Sequence, residues 1–199
     1  METELVFRIL LLGLFVAFIG HRGYYTKKFG QPDAATLKAR EQSWAEQAAN
    51  LLSVPALLAT AAYIFFPAWM AWSAWPLPLW LRWSGVGIAA AGFTLLQWAH
   101  QALSKNWSDK PRLLQDQALI TSGPYRWVRH PIYTPFLLIL SAPFFLSANW
   151  FIGGLWIGLT AVEVFSRVRF EEALLAEHFG DQYRAYINST GRLLPRLPR

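Results

Sequence analysis

Apolar residues fall in five blocks along the chain, at 5–19, 48–66, 79–98, 132–146 and 150–165, and the segments between them carry nearly all of the charge. A helix crossing a bilayer needs about 20 residues. The blocks therefore read as five spans, several of them short enough to leave boundaries and tilt open. The connections differ in kind. Gly30-Gln31-Pro32-Asp33 breaks the chain after the first span, and 34–50 reads as a polar, partly amphipathic helix leading into the second. Ser147-Ala148-Asn149 leaves room only for a tight hairpin between spans four and five. Span five continues as 164–179 and is stopped by Gly180; a short helix over 181–188 follows, with Asp181 as its N-cap. Pro55 in span two and Pro135 and Pro143 in span four each remove a backbone donor and predict a bend. Gly85-Val86-Gly87 in span three suits close helix packing.

With 54% apolar residues in 199, the chain is one domain by length and too apolar for an ordinary soluble one. The predicted class is an all-α integral membrane protein with about five transmembrane helices, a single membrane domain over 1–199. Charge supplies the orientation. Of the 18 Lys and Arg, all but Arg8 and Arg82 lie in the first connection, the third connection or the tail. Bases are retained on the cytoplasmic side, so five crossings place the N-terminus outside and the C-terminus in the cytoplasm. The net charge of +6 is then a topology signal and no argument for nucleic-acid binding. Trp69, Trp72, Trp75, Trp80 and Trp83 surround the charge-free second connection as an interfacial belt. An acidic start (Glu2, Glu4) with bases after the apolar run opposes a cleaved signal peptide. No cysteine occurs, which excludes disulfides, thiolate metal sites and a cysteine nucleophile; no zinc spacing, nucleophile elbow or P-loop is present, and no metal is expected.

Two polar clusters break this pattern. Spacings of four put Glu163, Arg167 and Glu171 on one helical face, with Glu172 beside them. A carboxylate at the depth of Glu163 costs a few kcal/mol unless it is paired, so the face is either a ladder of ion pairs at a membrane exit or a ligand site. The second cluster, Arg126, Arg129, His130 and Tyr133, precedes span four and is returned toward span five by the hairpin. Pro131 marks a helix start. His130 taken alone reads more readily as an interfacial or core histidine than as a ligand. A third region at 97–109, with Trp98, His100, Asn106 and Trp107, reads as an amphipathic interface segment.

The order Asn106-Trp107-Ser108, Gly123-Pro124-Tyr125-Arg126, Arg129-His130-Pro131-x-Tyr133, Arg167-x-x-x-Glu171-Glu172, Phe179-Gly180-x-x-Tyr183-x-x-Tyr186 and Leu194-Pro195 resembles the isoprenylcysteine carboxyl methyltransferase and phospholipid methyltransferase family of integral-membrane enzymes. The likeness covers 101–199, while spans one to three within 1–100 carry almost none of it. It implies a fold in which the hairpin of spans four and five and the cytoplasmic C-terminal helices form a pocket for S-adenosylmethionine. Carried over by position, the resemblance implies cofactor contacts at Gln117, Ala118, Leu119, Ile120, Tyr125, His130, Pro131, Ile132, Tyr133 and Glu171, with Arg167 as a catalytic residue facing the substrate; for an amine acceptor Glu172 or His130 is the available base. Gln117 stands where the family commonly has histidine and Pro135 where it commonly has glycine, which bears on one cofactor contact and on the width of the substrate entrance.

The function so implied is methyl transfer from S-adenosylmethionine to a hydrophobic acceptor held in the membrane, an isoprenylcysteine-type carboxylate or a lipid, whether a small molecule or a prenylated protein. Membrane lipids are the surrounding partners, and the small size points to a bacterial inner membrane. Two other classes compete. A membrane reductase of sterol-like double bonds shares an Arg-His-Pro pattern and uses NADPH, although such chains are longer. A membrane scaffold or transport component explains the loop charges but leaves Glu163, Glu171 and Glu172 without a role.

Overall fold

The structure is a computed structural model and describes residues 2–29, 36–39, 43–107, 112–114 and 118–196. Five apolar helices, α1 (Glu2–Phe29), α2 (Trp44–Phe65), α3 (Leu79–Leu103), α4 (Tyr133–Ser147) and α5 (Trp150–Phe179), run alternately between two faces, and α6 (Asp181–Ser189) follows α5. Helices α1, α2, α3 and α5 are long and apolar enough to cross a bilayer; α4 is a shorter apolar helix of 15 residues. The chain is a multi-pass helical membrane protein. At one face Glu4 of α1 meets Tyr63 of α2 and Arg82 of α3. At the other, His21 of α1 meets Gln97 of α3. The second connection forms a 3-10 helix over Pro67–Ser73, with the five tryptophans around it exposed and Met70 and Ser73 turned inward.

The stretch 34–50 departs from its expected helix. Thr36–Ala39 is a short strand, β1, paired antiparallel with β2 (Arg112–Leu114), and α2 starts only at Trp44. The start is set by a capping box. The Ser43 hydroxyl accepts the Glu46 N–H at 3.2 Å, and the Glu46 carboxylate accepts the Ser43 N–H at 2.9 Å. Two donors that a helix start leaves open are satisfied reciprocally. The break at Gly30-Gln31-Pro32-Asp33 lies outside the described residues. A second correction concerns α6: Gly180, at φ +52°, is its N-cap, and Asp181 is the first helical residue, paired with Arg184 at 2.9 Å. Helices α2 and α4 continue through Pro55 and Pro143.

Small residues decide how the helices pack. A Cβ added to Gly85 would lie 2.7 Å from Phe145 Cβ, and one on Gly92 would lie 2.6 Å from Ile139 Cγ1. Two glycines one heptad apart thus let α3 and α4 approach closely, the geometry small residues permit in membranes. Gly153 does the same for α5 against Phe144, whereas Gly87 faces open space. The hairpin between α4 and α5 turns at Ala148 (φ +48°), and Asn149 caps α5 by accepting the Ile152 N–H at 3.0 Å. The same Asn149 donates to Met70 O at 3.1 Å and Ser73 Oγ at 2.8 Å, fixing the hairpin to the second connection. Trp156 of α5 donates to Thr60 of α2 at 3.0 Å. Around these ties Phe7, Leu11, Leu96, Ile139, Ala142 and Ile152 form a fully buried core.

Replacing Gly92 by Leu is expected to lower stability by about 1–3 kcal/mol, the usual cost of overpacking, whereas Gly87→Leu stays within about 0.5 kcal/mol of the parent. Thermal unfolding in detergent measures both, and equal losses would contradict the packing described.

Candidate functional site

The hairpin brings the segment before α4 against the end of α5. Gly123–Arg126 forms one 3-10 turn, with Gly123 at φ +60°, and the Pro124 carbonyl accepts the N–H groups of Trp127 and Val128 at 3.2 and 3.3 Å. The chain then runs beside the tail. Gly191 N–H donates to Trp127 O at 3.1 Å, Arg129 N–H to Gly191 O at 2.8 Å and His130 N–H to Arg192 O at 3.1 Å. Thr134 Oγ1 adds a bond to Leu193 O at 2.6 Å. The tail is thereby ordered through Leu193 by docking along residues 127–134.

Two adjacent carboxylates organise the side chains. Glu172 Oε1 lies 3.0 Å from Arg129 Nε and 3.5 Å from His130 Nε2, and its other oxygen accepts from Arg192. Glu171 accepts the Tyr133 hydroxyl proton and lies 3.4 Å from His130 Nδ1. His130 is 5% exposed and stands between the two acids. Burial alone pushes its imidazole down, but the Glu171 and Glu172 carboxylates outweigh burial and hold it above the ordinary histidine value. Burial pushes the Tyr125 hydroxyl well up and Tyr186 to about 12, so both remain protonated donors. Tyr186 uses its proton on the Tyr125 carbonyl at 2.6 Å, joining α6 to the 3-10 turn. Arg129 Nη1 also donates to Ile187 O and Thr190 O, at 3.2 and 2.5 Å, so it satisfies carbonyls at the end of α6.

One turn back along α5, buried Arg167 pairs with Glu163 at 2.9 Å, and the charges of Glu171 and Glu46 also act on it. A cavity of about 260 Å³ opens here between α1, α2, α4 and α5. Its polar lining is Arg22, Asn50, Ser53, Tyr133, Thr160 and Glu163, and the rest of its wall is apolar. Tyr133 belongs to both the cavity and the carboxylate cluster.

Of the sequence-predicted residues, His130, Pro131, Ile132, Tyr133, Glu171 and Glu172 come together, with Arg167 one turn away. Tyr125 is buried beside α6. Ala118, Leu119 and Ile120 form a separate stretch, of which Ala118 is tied to the end of α3 through its N–H to Asn106 Oδ1 at 3.2 Å. Gln117 lies outside the described residues. Several contributors carry no sequence expectation of a site role: Arg192 and Thr134 at the tail junction, and Arg22, Asn50 and Glu46 from the first two helices. Only Glu46 had a local signal, the Ser43-x-x-Glu46 capping box. The others are reached through tertiary packing alone.

Fold and site together define a helical membrane protein with a buried, doubly acidic polar centre at its base-rich face, adjoining a cavity between helices. The sequence profile of the isoprenylcysteine carboxyl methyltransferase (ICMT) family matches residues 85–177. This segment, a little under half of the chain, is similar to that family. A protein-S-isoprenylcysteine O-methyltransferase of Schizosaccharomyces pombe is 35% identical over 85 residues, covering 42% of this chain and 36% of that one. A methanethiol S-methyltransferase of Pseudomonas deceptionensis is 33% identical over 124 residues, covering 60% of this chain and 44% of that one. The chain thus spans less than half the length of these relatives. The structure of a eukaryotic intramembrane Ras methyltransferase ICMT shares the fold, with a TM-score of 0.58 and 23% identity over 77% of this chain and 54% of the other.

Two outcomes follow from this geometry. Glu172→Ala leaves the buried Arg129 without its counter-charge and is expected to cost about 3–5 kcal/mol, with the tail becoming sensitive to limited proteolysis. His130 has a folded-state pKa above its unfolded value of 6.5. Its contribution is therefore full below that value and lost as pH rises through the folded one. The melting temperature in detergent should fall as pH rises above about 6.5, and the fall should flatten in His130→Gln; an unchanged slope in that variant would contradict the assignment.

Proposed function

We propose that this protein transfers a methyl group from S-adenosylmethionine to a hydrophobic acceptor drawn from the membrane. The observation that carries this reading is the continuity at Tyr133, which lines the apolar cavity between the helices and also binds Glu171. A water-soluble acceptor needs no such opening among spans. The relatives methylate an isoprenylcysteine or methanethiol by their names. A cavity of about 260 Å³ with apolar walls favours a chain-bearing acceptor over a one-carbon thiol. The base-rich face would be cytoplasmic by the positive-inside rule, in a bacterial inner membrane.

The residues present fit the methyl donor. Glu171 is held by Tyr133 and His130, yet its side chain stays 24% exposed, leaving lone pairs for the hydroxyl or amino groups of a nucleoside. His130 Nε2 is buried and lies 3.5 Å from the Glu172 carboxylate, which holds the imidazole in place beside Glu171. Glu171, His130, Pro131, Ile132, Tyr133 and Tyr125 would hold the cofactor, with Ala118, Leu119 and Ile120 closing it from the side of α3. S-adenosylmethionine supplies, when bound, the electrophilic methyl carbon on its sulphonium.

The protein's task is then orientation and exclusion of water. A carboxylate acceptor is ionised at neutral pH and needs no base; Arg167, paired with Glu163 of the cavity lining, orients it. An amine acceptor must lose a proton, and His130 is the base within reach. Glu172 acts as a positioning residue, since its oxygens are engaged by Arg129, Arg192 and His130.

Labelled S-adenosylmethionine incubated with membranes containing the protein is expected to leave the label in an organic-soluble product. S-adenosylhomocysteine should bind the purified protein in detergent and stabilise it where NADPH does not. Glu171→Ala should weaken that binding at least about tenfold, the scale of a lost charged hydrogen bond, while Arg167→Ala lowers turnover with cofactor binding retained. Undiminished binding in Glu171→Ala would overturn the role given to Glu171.

A further inference from the structure

At the face opposite this site, a second and larger cavity of about 570 Å³ opens where α1, α2, α3 and the hairpin meet. It contains the two arginines that the charge pattern leaves unexplained. Arg82 is 7% exposed, and its guanidinium bonds Glu4 Oε1 at 2.6 Å through Nη1 and Glu4 Oε2 at 3.0 Å through Nη2. Nη2 also donates to Leu146 O at 2.7 Å, and the guanidinium lies 4.0 Å over the Phe7 ring. Arg8 donates from Nη1 to Ile64 O at 2.8 Å. The Nε of each arginine is buried and has no hydrogen-bond partner within the protein. Two guanidiniums thus share a single carboxylate, and an arginine always keeps its charge. The cavity lining therefore carries two fixed positive charges and one carboxylate, which leaves it one negative charge short.

We propose that this cavity binds a phosphate-type oxyanion, supplied by the head group of a membrane phospholipid, with Arg8 as its principal partner and Arg82 as the second. A planar guanidinium fork matches phosphate oxygens. The volume falls in the range of small-ligand sites. The lipid source is favoured by depth: Trp69, Trp72, Trp75 and Trp80 stand exposed around the same face, and such belts lie at the level of the head groups. Met70, Trp75 and Leu77 in the cavity wall give the glycerol and upper acyl carbons an apolar seat. Glu4 competes with the ligand for Arg82, so its charge weakens the site. A salt bridge with a purely structural role predicts the opposite, that loss of Glu4 brings no gain in anion binding.

The test uses the full chain in detergent, delipidated and titrated with dioleoylphosphatidylglycerol, with dioleoylglycerol, which has the same chains and no phosphate, and with inorganic phosphate. Bound ligand is read by native mass spectrometry and thermal shift. The phospholipid is expected to bind at least about tenfold more tightly than dioleoylglycerol. Arg8→Gln should abolish that preference, and Glu4→Gln should strengthen phospholipid binding several-fold although it removes a salt bridge. Both variants should bind S-adenosylhomocysteine as the parent does, which separates this site from the one at the other face. Equal binding of the two lipids, or an unchanged preference in Arg8→Gln, would overturn the proposal. Binding of inorganic phosphate as tight as that of the phospholipid would overturn the lipid source.

Discussion

Glu172 joins three parts of the chain that lie far apart in sequence: the segment before α4 through Arg129 and His130, the tail through Arg192, and α5, to which it belongs. A buried carboxylate is tolerable only when its charge is matched and its oxygens are bonded, and here every partner comes from outside its own helix. Arg129 extends the constraint by binding the carbonyls of Ile187 and Thr190, which places α6 as well. Successive residues of a helix point about 100° apart. With Glu172 fixed toward the tail, Glu171 is turned to Tyr133. Two neighbouring acids thereby take different environments, one saturated with cations and one still partly exposed.

The rest of the bundle keeps this arrangement in place. Helix α5 runs unbroken for 30 residues, about 45 Å, from its Asn149 cap at one face to the acidic pair near the other. Asn149 is tied to Met70 and Ser73, and Trp156 to Thr60, so α5 is fixed along its length to the elements that frame both cavities. The close approach at Gly85 and Gly92 fixes α4 against α3 and so sets the position of Tyr133 at its start.

Much of this was legible in the sequence, because apolar block length, charge asymmetry and hairpin length are local properties that a bilayer enforces. The five helices, the short turn at 147–149 and the run of α5 beyond the apolar block all follow from them. The clustering of His130, Tyr133, Glu171 and Glu172 follows from the hairpin plus the family pattern. What escaped is what depends on pairing at a distance. The β1–β2 ribbon replaced an expected helix because its partner strand lies some 75 residues away in the chain, and no local propensity records that. Arg192 and Thr134 look like ordinary tail and helix residues until the tail docks. Arg22 and Asn50 enter the cavity because α1 and α2 pack there. Gly85 and Gly87 are indistinguishable in the sequence, yet only Gly85 meets a neighbour.

Helix α4, at 15 residues, rises about 22 Å, well short of the roughly 30 Å of a bilayer's hydrocarbon core. Packed against α3, α5 and α1, with every one of its residues at least partly buried, α4 presents little surface that has to match lipid and can be this short. A full-length span would carry its first residue to the membrane surface; one this short sets Tyr133 inside the bundle, where Glu171 meets it.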